Sequence, residues 1–151
     1  MNNQTNYDLI SRQLDALLTD ETDIIANLSN TSALLNENLS DINWVGFYLL
    51  KNNALILGPF QGKPACVHIQ IGSGVCGTAV KHDSIQRVAD VNAFPGHIAC
   101  DANSQSEIVL PIHKNNEIIG VLDIDAPIKD RFSHSDEQGL QTIVEVLERH
   151  L

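Results

Sequence analysis

The chain has 151 residues, 43% hydrophobic and 19% charged, the profile of one ordinary globular domain able to bury roughly 70% of its unfolded surface. Its formal charge is -10, with nine lysines and arginines scattered along it, which argues against the basic surfaces that phosphate backbones and anionic membranes attract. No apolar run approaches a bilayer-spanning length, and MNNQTNYDLI lacks the basic and apolar regions of a secretory signal, so a soluble, cytoplasmic protein is expected, bound to neither nucleic acid nor membrane.

The first forty residues read as helical, with Leu9, Leu14, Leu17 and Leu18 as one apolar stripe and Ile24, Leu28, Leu35 and Leu39 as a second. Six strand signals follow: INWVGFYLL, ALILGPF, CVHIQI, IQRVA, SEIVLPIH and EIIGVLDIDA. Turn-like stretches link them, among them Asn52-Asn53, Gly62-Lys63-Pro64 and Asn115-Asn116. The last helix carries Leu140, Ile143, Val144, Leu147 and Leu151 at helical spacing, behind a capping box of Ser135 and Gln138. Helices at both ends and short strands between predict an α+β fold. Its central, mainly antiparallel sheet has the N- and C-terminal helices on one face and a ligand pocket on the other.

Between the third and fourth strand signals stands IQIGSGVCGTAV. Gly72, Gly74 and Gly77 satisfy the G-x-G-x-x-G pattern of dinucleotide-binding loops. The context fails. The helix candidate from Val75 ends by His82-Asp83, too short for a βαβ crossover, and the acidic residue expected about 20 positions on is missing. The glycines instead suit a tight turn into a short helix carrying Cys76.

Three cysteines, Cys66, Cys76 and Cys100, make an odd count and contain no C-x2-4-C pair, which fits neither a secreted disulfide framework nor a structural zinc site. They are either small buried hydrophobes or redox thiols. Cys100 lies in the loop sequence FPGHIACDANS, close to His97, and loop thiols near cations are the better nucleophiles. A His-Cys metal site from His68, His97, His113 and Cys100 has no recognised ligand spacing and ranks low, and no cofactor is expected.

In NWVGFY, alternation puts Trp44, Gly46 and Tyr48 on one face, either as core packing with a glycine bulge or as the wall of a slot. In GVLDIDA, Asp123 and Asp125 share one face of an apolar strand, costly unless they meet solvent, bind a cation or share a proton. Glu107 lies across the hairpin. A regular two-residue turn at Asn115-Asn116 would pair Ile108 with Asp123 and send Glu107 to the opposite face. A three-residue loop or a bulge would bring it alongside the aspartates. Alternation leaves both open; the chemistry favours the irregular hairpin, because a second carboxylate nearby holds a proton in the pair. On that reading Glu107→Gln should lower the pKa of Asp125.

The segments NWVGFYL, LGPFQGKPACVHI, GSGVCGTAV, FPGHIACD, SEIVLPI and GVLDID together resemble the free methionine-(R)-sulfoxide reductases, which are built on a single GAF domain. The resemblance spans residues 44–136 and includes the intervals between the three cysteines; the Q-I-G-S before Val75 is less typical of the family. It implies one GAF domain over residues 1–151 and thiol-dependent reduction of free L-methionine-(R)-sulfoxide. It assigns Cys100 as nucleophile, Cys66 as its main resolving partner in an intramolecular disulfide and Cys76 as an auxiliary, with thioredoxin as the external reductant. Asp123 and Glu107 would then bind the substrate ammonium, Asp125 would protonate the sulfoxide oxygen, and Trp44 and Tyr48 would wall its methyl-sulfur end. A homodimer through the terminal helices is a family-level expectation. Two other readings are a GAF sensory module that binds a ligand or senses oxidants without turnover, and an acidic interaction domain, which leaves the cysteines unexplained.

Overall fold

A computed structural model describes residues 4–97 and 100–151; Ile98 and Ala99, inside the FPGHIACD segment, lie outside the described residues, as do residues 1–3. The elements run α1 (Tyr7–Leu18), α2 (Ile24–Asn38), β1 (Trp44–Lys51), β2 (Ala54–Gly62), β3 (His68–Gln70), α3 (Gly74–His82), β4 (Gln86–Val88), β5 (Ser106–Lys114), β6 (Glu117–Ala126) and α4 (His134–Glu148). The strands form one six-stranded sheet in the order β3-β2-β1-β6-β5-β4, antiparallel at every pairing. Each strand coincides with one of the six sequence signals, because their alternation and flanking turns are local properties. Asn52-Asn53 and Asn115-Asn116 all take positive φ, the geometry of two-residue hairpin turns. Among the described residues no helix is long and apolar enough to cross a membrane.

Period-two alternation splits the core. Val45 and Phe47 of β1, Ile108, Leu110 and Ile112 of β5, and Leu122 and Ile124 of β6 pack against α1, α2 and α4. On the other face Trp44, Tyr48, Val109 and Val121 meet Val75, Cys76, Ala79 and Val80 of α3. The second face is the thinner one: α3 is nine residues long, and loops cover the rest. That leaves room for a pocket.

Two details of the helices differ from the sequence reading. In α1 the buried stripe is Ile10, Leu14 and Leu18, whereas Leu9 is 42% and Leu17 46% exposed. Each residue turns a helix by about 100°, and the i, i+4, i+8 set that includes Ile10 points more squarely at α4 than the stripe drawn through Leu9 and Leu17. In α4 the capping box is Ser133 and Asp136, not Ser135 and Gln138. Asp136 also accepts from Tyr7 Oη at 2.7 Å and pairs with Arg131 at 3.2 Å. Those contacts from outside the helix decide which serine starts it.

Candidate active site

The glycine loop is a turn, not a phosphate cradle. Gly72 and Gly74 have φ of 89° and 62°, and the Gly72 amide donates to the Gly77 carbonyl at 2.8 Å. A Cβ on Gly77 would overlap the Gln70 carbonyl, so the first turn of α3 sits directly on the end of β3. This seating presses Cys76 against the sheet, where it is buried.

On β1 the slot beside Gly46 is filled. Its partner across the ladder is Phe60, whose Cβ occupies the space a side chain at 46 would need, and a bulge follows between Gly46 and Tyr48. Trp44 stacks on Phe60 with centroids 5.1 Å apart and on Tyr48 at 5.9 Å. Trp44 Nε1 donates to the Lys63 carbonyl at 3.1 Å and Tyr48 Oη to the Cys66 carbonyl at 2.8 Å. Two aromatic residues of β1 therefore hold the segment that brings in Cys66.

The hairpin of β5 and β6 is irregular. From the Asn115-Asn116 turn, Lys114 pairs with Glu117 and His113 with Ile118; then Ile112 pairs with Gly120, so Ile119 is an extra residue on β6. Beyond this bulge Val109 faces Asp123 and Glu107 faces Asp125. The bulge thus puts three carboxylates on the pocket face, with Asp125 also opposite Trp44 on β1. Glu107 is 7% and Asp123 5% exposed, and Asp125 is less deeply buried.

Burial pushes all three carboxyls up. For Glu107 the aspartates add to it, through their charges and by accepting its proton. For Asp123, proton donation from Glu107 and from the Cys76 thiol works the other way, as does His97. For Asp125, burial and the charge of Asp123 raise the pKa, while the hydrogen bond from Glu107 lowers it. Both Glu107 and Asp125 are thus pushed toward their protonated forms, and the hydrogen bond from Glu107 works against the rise at Asp125, where the sequence reading expected Glu107 to add to it. The reason is that a protonated neighbour donates a hydrogen bond to the anion rather than repelling it. The Cys76 thiol is pushed up by burial and then by the three carboxylates, the reverse of what an activated nucleophile needs.

Cys100 is bonded to Cys66, with Cα atoms 5.5 Å apart, and Cys76 is free. The Cys100 loop is tied down by Asn43, whose amide donates to Asp101 at 3.0 Å and to Ser104 at 3.1 Å, and by the Gln105 amide on the Ala126 carbonyl at 2.7 Å. A cavity of about 50 Å³ opens between this loop, the start of α3 and the sheet. It is lined by Trp44, Tyr48, Cys76, Cys100, Glu107, Asp123 and Asp125, together with His97, Asp101 and Ser104. Of the residues that the sequence reading assigned to catalysis or substrate binding, the structure gathers all but Cys66 into the cavity wall, and Cys66 is bonded to Cys100. His68 and His113 lie elsewhere, on β3 and β5, with His113 held by Asp83 at 2.7 Å. Sequence reasoning missed Asn43 and Ser104, for which the only signal is their polarity beside NWVGFY and SEIVLPI.

The GAF domain family model matches residues 13–151. The chain is 57% identical over 151 residues to the free methionine-R-sulfoxide reductase of Escherichia coli, covering 100% of this chain and 92% of that protein. Two solved structures of fRMsr from Staphylococcus aureus, each 63% identical and covering 100% of this chain and 99% of theirs, superpose with TM-scores of 0.97 for the reduced form and 0.95 for the complex with substrate.

Proposed function

Since the chain belongs to the GAF family and, within it, to the free methionine-R-sulfoxide reductases, we propose that this cavity reduces free L-methionine-(R)-sulfoxide to methionine through thiol and disulfide chemistry. The observation that carries the reading is the Cys66–Cys100 disulfide beside a cavity in which three carboxylates converge.

In the reduced enzyme the Cys100 thiolate attacks the sulfoxide sulfur while the sulfoxide oxygen is protonated. Methionine leaves, and the oxygen remains on Cys100 as a sulfenic acid. Cys66 displaces that oxygen as water and forms the disulfide. An external dithiol, thioredoxin in this reading, reopens it by attack on one sulfur and departs oxidised. Cys76, the most buried of the three cysteines, is not needed for these steps, and burial pushes its thiol up, so the auxiliary role that the resemblance implies lies outside this cycle.

Asp123, the carboxyl to which both Glu107 and Cys76 offer protons, carries the negative charge that receives the substrate ammonium, with Glu107 beside it. Asp125 is the more accessible member of the Glu107–Asp125 pair. It hands a proton to the sulfoxide oxygen and is reloaded by Glu107. Trp44 and Tyr48 wall the methyl-sulfur end.

The test is to incubate the reduced protein with free methionine-(R)-sulfoxide and quantify methionine, first without reductant and then with dithiothreitol or thioredoxin. Wild type should release one methionine per chain without reductant and turn over with it. Cys100→Ser should release none. Cys66→Ser should give the first methionine and then fail to recycle through a disulfide. One methionine per chain from Cys100→Ser would overturn the assignment.

A further inference from the structure

Cys76 has no part in the cycle above, yet the fold drives it into the acid cluster. It is 4% exposed, on a helix whose first turn is seated directly on the end of β3 through the close approach at Gly77. Its Sγ, one oxygen of Glu107 and one of Asp123 all lie within 4.8 Å of one another, supplied by α3, β5 and β6. Asp123 Oδ1 is buried and has no hydrogen-bond partner among the described residues. A buried acceptor with no donor is rare in a folded chain. Glu107 and Cys76 donate to the Asp123 carboxylate without satisfying this oxygen, and a cation entering the cavity, the substrate ammonium or a metal ion, would do so.

We propose that Cys76, Glu107 and Asp123 form a three-ligand site for a borderline-soft divalent cation such as zinc, its fourth position open to the cavity. One thiolate and two carboxylates suit zinc, whereas magnesium and calcium require six or more oxygen ligands and make no use of sulfur. Ideal tetrahedral zinc places such ligand atoms about 3.3–3.5 Å apart, so atoms within 4.8 Å of one another close on an ion with side-chain shifts of about 1 Å or less. Three protein ligands and one open position is the pattern of accessible zinc sites. The cavity of about 50 Å³ has room for the ion's remaining water.

The ion and the substrate ammonium would compete for the same carboxylates, so zinc acts here as an inhibitor and not as a cofactor. The inference rests on the cavity's geometry and not on its reductase chemistry. Failure to release methionine would leave the metal site standing, and failure to bind metal would leave the reductase reading standing.

The experiment uses protein with the Cys66–Cys100 disulfide intact, in which Cys76 is the chain's one remaining thiol. Cobalt(II) is titrated in at mildly alkaline pH, which favours the release of the thiol and carboxyl protons that metal binding displaces. A thiolate-to-cobalt charge-transfer absorption should grow in, saturate at one equivalent and vanish when zinc displaces the cobalt. Cys76→Ser should abolish it, and Glu107→Gln and Asp123→Asn should each weaken cobalt binding about tenfold or more. Cobalt held only by surface histidines gives no thiolate absorption, and that result overturns the proposal. So does an absorption whose affinity neither carboxylate variant changes, a comparison that remains decisive should Cys76→Ser fail to fold.

Discussion

At the scale of single residues, the site depends on how protons are distributed among three carboxyls that sit too close together to ionise independently. Asp125 keeps its proton because it is buried and because Asp123 beside it is negative; Glu107 opposes this by donating to it. The acid form is lost as pH rises through the raised pKa, so if Asp125 is the proton donor proposed above, that pKa should set the alkaline limit of activity. Asp123→Asn removes the charge that raises it and should move the alkaline limb of the kcat profile to lower pH. Glu107→Gln leaves Asp123 in place and an amide that can still donate, so the limb should stay near its wild-type position. A profile that moves with Glu107→Gln and not with Asp123→Asn would reverse this order. The substrate's amine gives a second measurement. If Asp123 and Glu107 receive an ammonium, N-acetylated methionine sulfoxide should be reduced far more slowly than the free amino acid, and equal kcat/KM for the two would remove the ammonium role from both carboxylates.

At the scale of elements, α4 and α3 show how contacts between elements overrule a local reading. Ser133 and Ser135 both precede an apolar run, but only Ser133 caps, because Asp136 at the N3 position returns a bond to the Ser133 amide and is itself held by Tyr7 and Arg131. Ser133→Ala should cost about 1 kcal/mol, lowering Tm by about 2–4 °C for a chain of this size. Ser135→Ala should leave the melting curve nearly unchanged, which thermal unfolding of the two variants checks directly. On α3, Gly77→Ala forces a methyl against the Gln70 carbonyl. The helix must shift away from β3, at about 1–3 kcal/mol, carrying Cys76 out of the acid cluster. Its signature is a lowered Tm together with a raised KM, since the cavity wall moves with the helix.

At the scale of the whole molecule, the sheet separates stability from chemistry. One face is a continuous apolar core under three helices; the other ends in acids that the fold must hold uncharged against their preference for water. A carboxyl whose pKa is raised on folding binds more protons in the native state than in the unfolded one. Its contribution is therefore favourable at low pH and is lost as pH rises from about 4, the unfolded value, toward the folded pKa. Glu107→Gln removes that loss. The variant should melt above wild type at neutral pH, by about 2–4 °C for each kcal/mol recovered, and the gap should close toward about pH 4. A variant less stable at neutral pH would mean that Glu107 contributes more through its hydrogen bonds than its burial costs.

Much of this architecture is written in local pattern. Six strands, the turns at Asn52-Asn53 and Asn115-Asn116, and the shared faces of Trp44 with Tyr48 and Asp123 with Asp125 follow from period-two alternation and turn chemistry, which act over a few residues and survive any tertiary context. The order of the glycine loop, too, was legible as a turn into a short helix because a crossover cannot be built in the residues available before Ile85. What needed the tertiary structure were the choices between locally equivalent states. The Asn115-Asn116 turn accepts either a regular ladder or the bulge at Ile119, and only the packing of two finished faces selects the one that sets Glu107 opposite Asp125. The stripe of α1, the cap of α4 and the sign of Glu107's effect on Asp125 are likewise fixed by partners distant in the chain, whose energies no window of sequence contains.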